Sequence, residues 1–347
     1  MRRTGAYLLT VLIITIFLPT VIVKTFNIVP ISNRVEGQKL EDKDLIRPKE
    51  EGSKTILLEE RKVDEIKVYN INTKKVENLP LEEYVKGVVA AEMPAEFHIE
   101  ALKAQAIAAR TYAVSRTLKY EEGHPNHTEA PLCSGVHCQA YLSLEELRQI
   151  HGDSWVEKYW GKIEKAVEST GGILIYYNGE IIEPLYHSTS GGMTEDAINV
   201  FAVESPYLKA VESPYEEDAP RFKTLITLTA DEFIEKLKER YPKIDINKDN
   251  FYEKIKLVEK TDSGRVKKIA IDNEIIDGRE IRDLYNLNST NFKITYDKGL
   301  NIIEIETYGY GHGVGMSQWG ANGMAKQGSN YEEILKHYYT GIYLKKM

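Results

Sequence analysis

The chain has 347 residues, with 45 Lys plus Arg against 53 Asp plus Glu, which gives a net charge of −8. This acidic balance leaves no basic excess to cover a phosphate backbone and argues against a dedicated nucleic-acid binder. Hydrophobic residues make up 42% of the chain, enough for a globular core, and the 2 cysteines exclude a disulfide scaffold and a four-thiolate metal site.

The first 24 residues predict a membrane segment. Arg2 and Arg3 precede an uncharged stretch, residues 4–23, that is long enough to cross a bilayer as a helix. No small-residue cleavage pattern follows, which favours an uncleaved anchor at residues 4–24 over a cleaved signal peptide. The paired arginines favour a cytoplasmic N-terminus, so we expect a single-pass protein of the cell membrane with its main domain outside the cytoplasm. The charged residues 25–65 are typical of a tether.

The rest of the chain mixes helices and strands without regular β-α-β alternation, which predicts an α+β fold. Alternation predicts a strand over 66–71, and helices are expected from Pro80 to just before Pro94 and over about 98–119. Asn178-Gly179 between two apolar runs predicts a β-hairpin. Residues 224–300, with one helix at 231–240, predict a smaller subdomain inserted into a mixed globular domain formed by 66–223 and 301–347.

Glu92 is the candidate general acid. It lies at the expected C-terminal end of its helix, where the macrodipole disfavours a carboxylate. Its neighbours Val88, Val89 and Met93 are apolar, and desolvation raises a carboxyl pKa in the same direction. A raised pKa is what a general acid near neutral pH requires. The alternative is an ordinary solvated glutamate at a helix end.

Two histidines and two cysteines fall close together and are the right types for a tetrahedral zinc site: His127, Cys133, His137 and Cys138. Their spacing does not match a zinc finger, and His124 is a possible substitute ligand. A Cys133–Cys138 disulfide and free thiols are the alternatives. Because no H-E-x-x-H motif is present, a structural ion is favoured over a catalytic one.

Two glycine- and hydroxyl-rich loops, residues 186–192 and 309–320, would let a ligand approach the backbone closely. Neither fits a dinucleotide fingerprint, and no G-x-S-x-G supports a serine nucleophile. Each loop alone is better explained as a tight turn.

Four short motifs together resemble the stage II sporulation protein D (SpoIID) family over about residues 66–345. In chain order they are AAEMP at 90–94, the stretch from ALKAQA through RTYA at 101–113, HSTSGG at 187–192 and GHGVGMSQWG at 311–320. The N-terminal anchor and tether fit the same family. Each motif is weak alone, but the four in order are specific.

The resemblance implies a lytic transglycosylase that cuts peptidoglycan strands whose stem peptides a partner amidase has removed. Glu92 matches the family's catalytic acid/base. The implied partners during engulfment of the forespore are the amidase, stage II sporulation protein P (SpoIIP), and the membrane protein M (SpoIIM). Some members hold zinc through two His and two Cys, an arrangement that His127, Cys133, His137 and Cys138 match.

Such an enzyme needs one carboxyl group. Protonated Glu92 would give its proton to the oxygen between N-acetylmuramic acid and N-acetylglucosamine, then take the proton of the muramyl C6 hydroxyl as that hydroxyl closes on C1. Water is not a reactant, so paired carboxylates are not required. Lys103 and Arg110 are expected to orient Glu92 or the substrate. The other candidates for the glycan groove are Gln105, Ser190, His312, Gln318 and Trp319.

Two other classes of function remain open. Relatives of this domain are described as amidase enhancers, so the groove could bind glycan and recruit an amidase without cutting. A zinc-dependent hydrolase would instead lose activity with a chelator and add water to its product.

Overall fold

The computed structural model describes residues 62–347. The predicted anchor at 4–24 and nearly all of the predicted tether at 25–65 lie outside these residues. Within 62–347, no helix combines the length and the apolar character needed to cross a bilayer. The described chain is a mixed α and β globular fold.

The first part of the chain forms a small sheet and four helices. Strands β1 (Glu65–Asn70) and β2 (Lys75–Pro80) pair antiparallel, and β3 (Leu132–Cys133) pairs parallel with β1. The helices are α1 (Leu81–Glu92), α2 (Ile99–Lys119), α3 (Leu144–His151) and α4 (Asp153–Glu168). The expected strand at 66–71 and the first two expected helices are confirmed.

Helix α2 lies at the centre of the larger core. It packs against α1 and α4 because its small side chains let neighbouring elements approach closely. Its buried alanines are Ala101, Ala104, Ala106, Ala108, Ala109 and Ala113. This packing fixes α1, which ends at Glu92, against the rest of the domain.

The predicted hairpin is confirmed within a three-stranded sheet. Asn178 and Gly179 both have positive φ, 49° and 85°, between β4 (Ile173–Tyr177) and β5 (Glu180–Ile181). The C-terminal strand β14 (Tyr343–Lys346) pairs with β4.

The two glycine-rich loops meet through a short parallel pair. Strand β6 (Tyr186–His187) pairs with β13 (Met316–Ser317), which leads directly into α9 (Gln318–Lys326). The helices α5 (Ala197–Phe201) and α10 (Tyr331–Tyr338) complete this side of the domain.

A second apolar core forms between residues 230 and 305. Its strands are β7 (Lys223–Thr229), β8 (Ile255–Lys260), β9 (Val266–Ile271), β10 (Glu274–Asp277), β11 (Phe292–Asp297) and β12 (Ile302–Tyr308). They form two sheets, of order β10-β9-β8 and β11-β12-β7. The helices are α6 (Ala230–Arg240), α7 (Phe251–Lys254) and α8 (Gly278–Leu284), of which the sequence predicts only the first. The boundaries of the predicted insertion, 224–300, stay a prediction.

Candidate active site and metal cluster

Glu92 ends α1 and is half-buried. Its Oε1 accepts a hydrogen bond of 2.6 Å from the backbone N–H of Ala140, and its carboxyl group also hydrogen-bonds the side chain of Gln318. Pro94, two residues beyond, prevents the helix from continuing. The carboxyl group is therefore held at a fixed place between a helix end and two polar partners.

Desolvation has the largest effect on the pKa of Glu92. It raises the pKa of the carboxyl from 4.5 to about 7, against the opposing effects of the Ala140 and Gln318 hydrogen bonds. Among the described residues, no second carboxylate is among the groups that shift this pKa. The arrangement suits a single group that is protonated for part of the time near neutral pH.

The buried side chain of Gln139 holds the segment that faces Glu92. Its Nε2 donates to the Tyr84 hydroxyl at 3.1 Å and to the Ala109 carbonyl at 3.3 Å, and its Oε1 accepts from the Tyr186 hydroxyl at 2.8 Å. Burial, and then the charge of Glu92, raise the pKa of the Tyr186 phenol, so that phenol lies near the carboxyl group. Gln139 and Tyr186 are not among the predicted site residues; the signal in the sequence is that Gln139 directly follows the candidate ligand Cys138.

Gln318, which hydrogen-bonds the Glu92 carboxyl group, also contacts Gln105 and is followed in the chain by Trp319. Gln318 donates from Nε2 to Gln105 Oε1 at 3.5 Å, and both side chains are buried. Trp319 is half-buried and packs edge-on against Phe97, with ring centroids 4.9 Å apart. Gln318 therefore links the carboxyl group to the buried Gln105.

Arg110 and Lys103 are both paired with acidic residues other than Glu92. The fully buried Arg110 guanidinium makes two hydrogen bonds, of 2.8 and 2.7 Å, to Glu82 at the opposite end of α1. Lys103 pairs with Glu100 at 2.7 Å. Since Glu82 and Glu92 are ten residues apart on one helix, about 15 Å separates them, so the expectation that Arg110 orients Glu92 is corrected. A role of Lys103 in orienting Glu92 or the substrate stays a prediction. Arg110 fixes α1 against the packed core.

Ser190 is likewise not an open groove residue. It is fully buried, and its backbone N–H and hydroxyl both donate to the buried carboxylate of Glu216. The same carboxylate accepts from the Ser317 hydroxyl at 2.8 Å, so Glu216, which the sequence analysis missed, ties the two glycine-rich loops together. Ser190 thus has a structural role in placing Gln318.

His312 faces His187 across the two loops, with ring centroids 5.6 Å apart. Its Nδ1 accepts from the Val314 N–H at 3.0 Å. Desolvation, followed by the charges of Arg282 and Arg265, lowers the pKa of His312 to about 3. The imidazole is therefore neutral and does not serve as a cation in the groove.

The four predicted metal ligands are brought together. One ligand atom from each of His127, Cys133, His137 and Cys138 lies within 4.8 Å of the other three. His127 Nε2 is 3.3 Å and His137 Nδ1 is 3.6 Å from Cys138 Sγ. Tetrahedral zinc with ordinary bond lengths places its ligands about 3.3 to 3.8 Å apart.

The surroundings of this cluster also fit a metal. His127 Nδ1 is 2.8 Å from the Ala130 carbonyl oxygen, which directs the other ring nitrogen to the cluster. Both cysteines are free, so the alternative disulfide does not form in this structure. His124 is not a substitute ligand, because its Nε2 is 3.2 Å from Arg116 Nη1 and its Nδ1 accepts from the Asn126 N–H. These four residues could hold a metal ion.

Two family models and several known proteins match this chain. A family model described as stage II sporulation protein (SpoIID) matches residues 69–177, and a model described as a domain of unknown function matches residues 203–315. Stage II sporulation protein D of Bacillus subtilis (strain 168) is 38% identical over 353 residues, covering 100% of this chain and 96% of that protein. Its counterpart from Bacillus amyloliquefaciens is 38% identical over 278 residues, or 80% of this chain and 77% of that protein.

A more distant relative has a different name. The amidase enhancer of Bacillus subtilis (strain 168) is 30% identical over 311 residues. The match covers 75% of this chain but 40% of that protein.

Proposed function

The chain belongs to the stage II sporulation protein D family, and from this premise we propose that it is a lytic transglycosylase of peptidoglycan. It cuts between N-acetylmuramic acid and N-acetylglucosamine in peptide-stripped strands and leaves 1,6-anhydromuramic ends. The biological setting is degradation of the septal wall during engulfment of the forespore.

The observation that carries this proposal is the environment of Glu92. Its carboxyl group, with a pKa of about 7, is protonated in a large fraction of molecules near neutral pH and can donate to the glycosidic oxygen. As that C–O bond breaks, the carboxylate left behind takes the proton of the muramyl C6 hydroxyl, whose oxygen bonds to C1. The proton returns to Glu92, and no water is consumed.

The two hydrogen bonds to Glu92 support both halves of this cycle. The Ala140 N–H and the Gln318 side chain stabilise the carboxylate that forms when the proton leaves. Desolvation opposes them and keeps the pKa near neutrality. One carboxyl group therefore serves as acid and then as base.

Zinc is the proposed metal of the His127, Cys133, His137 and Cys138 cluster. When bound, it would cross-link residues 127–138 and make the folded state more stable. Cys138 lies two residues before Ala140, whose N–H donates to Glu92. Fixing Cys138 in the cluster would therefore keep this donor on the carboxyl group. The role of the metal is structural.

The proposed location is the cell membrane, with residues 4–24 as a single-pass anchor and the catalytic domain outside the cytoplasm. The proposed partners are glycan strands, the amidase stage II sporulation protein P, which strips the peptides, and the membrane protein M.

The second candidate is a non-catalytic glycan-binding enhancer of an amidase, which the 30% identity to an amidase enhancer favours.

Glu92→Gln separates the two functions. It should abolish release of soluble fragments from peptide-free strands while leaving glycan binding and any stimulation of an amidase intact. Glu96→Gln, an exposed carboxylate in the same segment, is the matched control and should cut at the wild-type rate. Equal cutting by wild type and Glu92→Gln would refute the role of Glu92.

A further inference from the structure

Glu216 is a buried carboxylate that accepts hydrogen bonds from both glycine-rich loops. It is only 1% exposed. Its Oε2 accepts from the backbone N–H of Ser190 at 2.9 Å and from the Ser317 hydroxyl at 2.8 Å. Its Oε1 accepts from the Ser190 hydroxyl and, at 3.1 Å, from the backbone N–H of Gly192. Each oxygen therefore bonds one backbone N–H and one hydroxyl.

Only a carboxylate satisfies these donors. A hydroxyl can donate or accept, whereas a backbone N–H can only donate. A glutamine in the place of Glu216 would turn its NH2 group toward the Ser190 N–H in one orientation and toward the Gly192 N–H in the other. Either orientation leaves a buried donor without its partner, which is destabilising. The two loops therefore require a carboxylate at this position.

The segment that carries Glu216 packs directly against α9. A Cβ on Gly320 would lie 2.4 Å from Ser213 Oγ, and a Cβ on Gly323 would lie 2.2 Å from the Tyr215 carbonyl oxygen. The two glycines are three residues apart, so they lie on one face of the helix. Because this face carries no side chain at either position, the segment lies close to α9 and gives Glu216 a fixed position beside the start of the helix.

The first turn of α9 connects Glu216 to the proposed catalytic carboxyl group. Ser317 is the N-cap of α9, and its Oγ both donates to Glu216 and accepts from the Gly320 N–H at 3.2 Å. Gln318, the first residue of the helix, hydrogen-bonds the carboxyl group of Glu92. A displacement of the start of this helix would therefore move Gln318 relative to Glu92.

A cation from the second core holds the same loop. Arg265 Nη2 donates to the carbonyl oxygens of Ser190 at 2.7 Å and Met193 at 3.1 Å. Burial has the largest effect on the pKa of this guanidinium and lowers it, while the charges of Glu195 and Glu216 oppose that effect. The buried charge of Glu216 is therefore balanced by a cation as well as by its hydrogen-bond donors.

We infer that Glu216 is a positioning residue for the proposed reaction, which holds Gln318 on the Glu92 carboxyl group by way of Ser317 and the two loops. This inference rests on the proposed function and adds to it a residue that acts on Glu92 without touching it. Burial is the main cause that raises the pKa of Glu92, and the Gln318 hydrogen bond opposes it. Loss of that bond should therefore raise this pKa further.

The test follows the proton on Glu92 and does not require cutting. The free energy of unfolding of each full-length protein is compared, over a series of pH values, with that of the same protein carrying Glu92→Gln. Because only this residue differs within a pair, the pH dependence of the difference gives the pKa of Glu92. With Glu216→Gln in both members of the pair, we expect that pKa to rise by about one, the equivalent of one charge-assisted hydrogen bond.

A second set of pairs separates positioning from a general loss of stability. With Gln318→Leu in both members, adding Glu216→Gln should not change the pKa of Glu92 any further, because the bond through which Glu216 acts is already gone. Ser317→Ala removes a single donor to Glu216 and is the milder variant if Glu216→Gln does not fold. It should raise the pKa of Glu92 in the same direction by a smaller amount.

Two matched controls remove the same kinds of group at exposed positions. Glu217→Gln removes the carboxylate next to Glu216, and Asn330→Ala removes the side-chain cap of α10. Both should leave the pKa of Glu92 at its wild-type value.

An unchanged pKa of Glu92 in both Glu216→Gln and Ser317→Ala would overturn the inference. So would a rise on adding Glu216→Gln that is equally large with and without Gln318→Leu. If the pKa changes as expected but the wild type releases no fragments from peptide-free strands, then the proposed function fails and the placement of Gln318 by Glu216 stands.

Discussion

Replacing Glu92 by Gln should make the protein more stable at neutral and alkaline pH while abolishing its cutting. The structure raises the pKa of this carboxyl from 4.5 to about 7, with desolvation as the largest cause. A folded-state pKa above the unfolded value means that stability is fully present below about pH 4.5 and is lost as pH rises through 7. Gln is neutral and has almost the same shape, so it avoids that loss.

The size of the effect follows from the pKa shift. A rise from 4.5 to about 7 corresponds to about 3 kcal/mol at pH 8. The free energy of unfolding of the variant should match that of wild type near pH 4. It should exceed the wild-type value by a growing amount between pH 4.5 and 7, and by a constant amount above pH 7.

Urea denaturation followed by the fluorescence of Trp155, Trp160 and Trp319 measures this difference at each pH. Subtracting the variant's free energy of unfolding from that of wild type cancels the contributions of the other titrating groups, which are common to both proteins. Glu96→Gln, at an exposed position, should show no pH-dependent difference. A Glu92→Gln difference that stays flat between pH 4 and 8 would refute the reasoning that burial raises this pKa.

Three further predictions follow from contacts around the site. Gln318→Leu removes a hydrogen bond that lowers the pKa of Glu92, so the fall in cutting rate at high pH should shift to still higher pH; an unchanged pH–rate profile would contradict this. Glu82→Gln leaves the buried Arg110 without its anion and should cost about 3 kcal/mol in urea denaturation, yet leave that profile unmoved. Chelating a metal whose free concentration is about a thousand times its Kd should lower the free energy of unfolding by about 4 kcal/mol and Tm by roughly 10 °C. Cys133→Ser, which removes one ligand, should melt at the same temperature with and without the chelator.

Local patterns predicted the local structure well. The period of apolar residues gave α1 and α2, and Asn178-Gly179 gave the hairpin, because these elements depend on neighbours in the sequence. Short helices such as α3 and α8 were missed, since one or two turns carry too few residues to show a period.

The candidate site was predicted in its residue types but not in its contacts. The ligand set was found because histidines and cysteines cluster in one segment. The roles of Arg110 and Ser190 were mistaken because their partners, Glu82 and Glu216, are 28 and 26 residues away and only the fold brings them together. Ala140 donates to Glu92 across 48 residues, a contact that no local pattern reveals.

The central claim is that Glu92 alone carries out an intramolecular glycan cleavage, and the mass of the product ends tests it most directly. Peptide-free strands are incubated with wild type and with Glu92→Gln, and the fragments are weighed by mass spectrometry. The account predicts fragments with 1,6-anhydromuramic ends, one water lighter than hydrolysed ends, from wild type only. Reducing ends that carry an added water, or anhydro ends from both proteins, would contradict it.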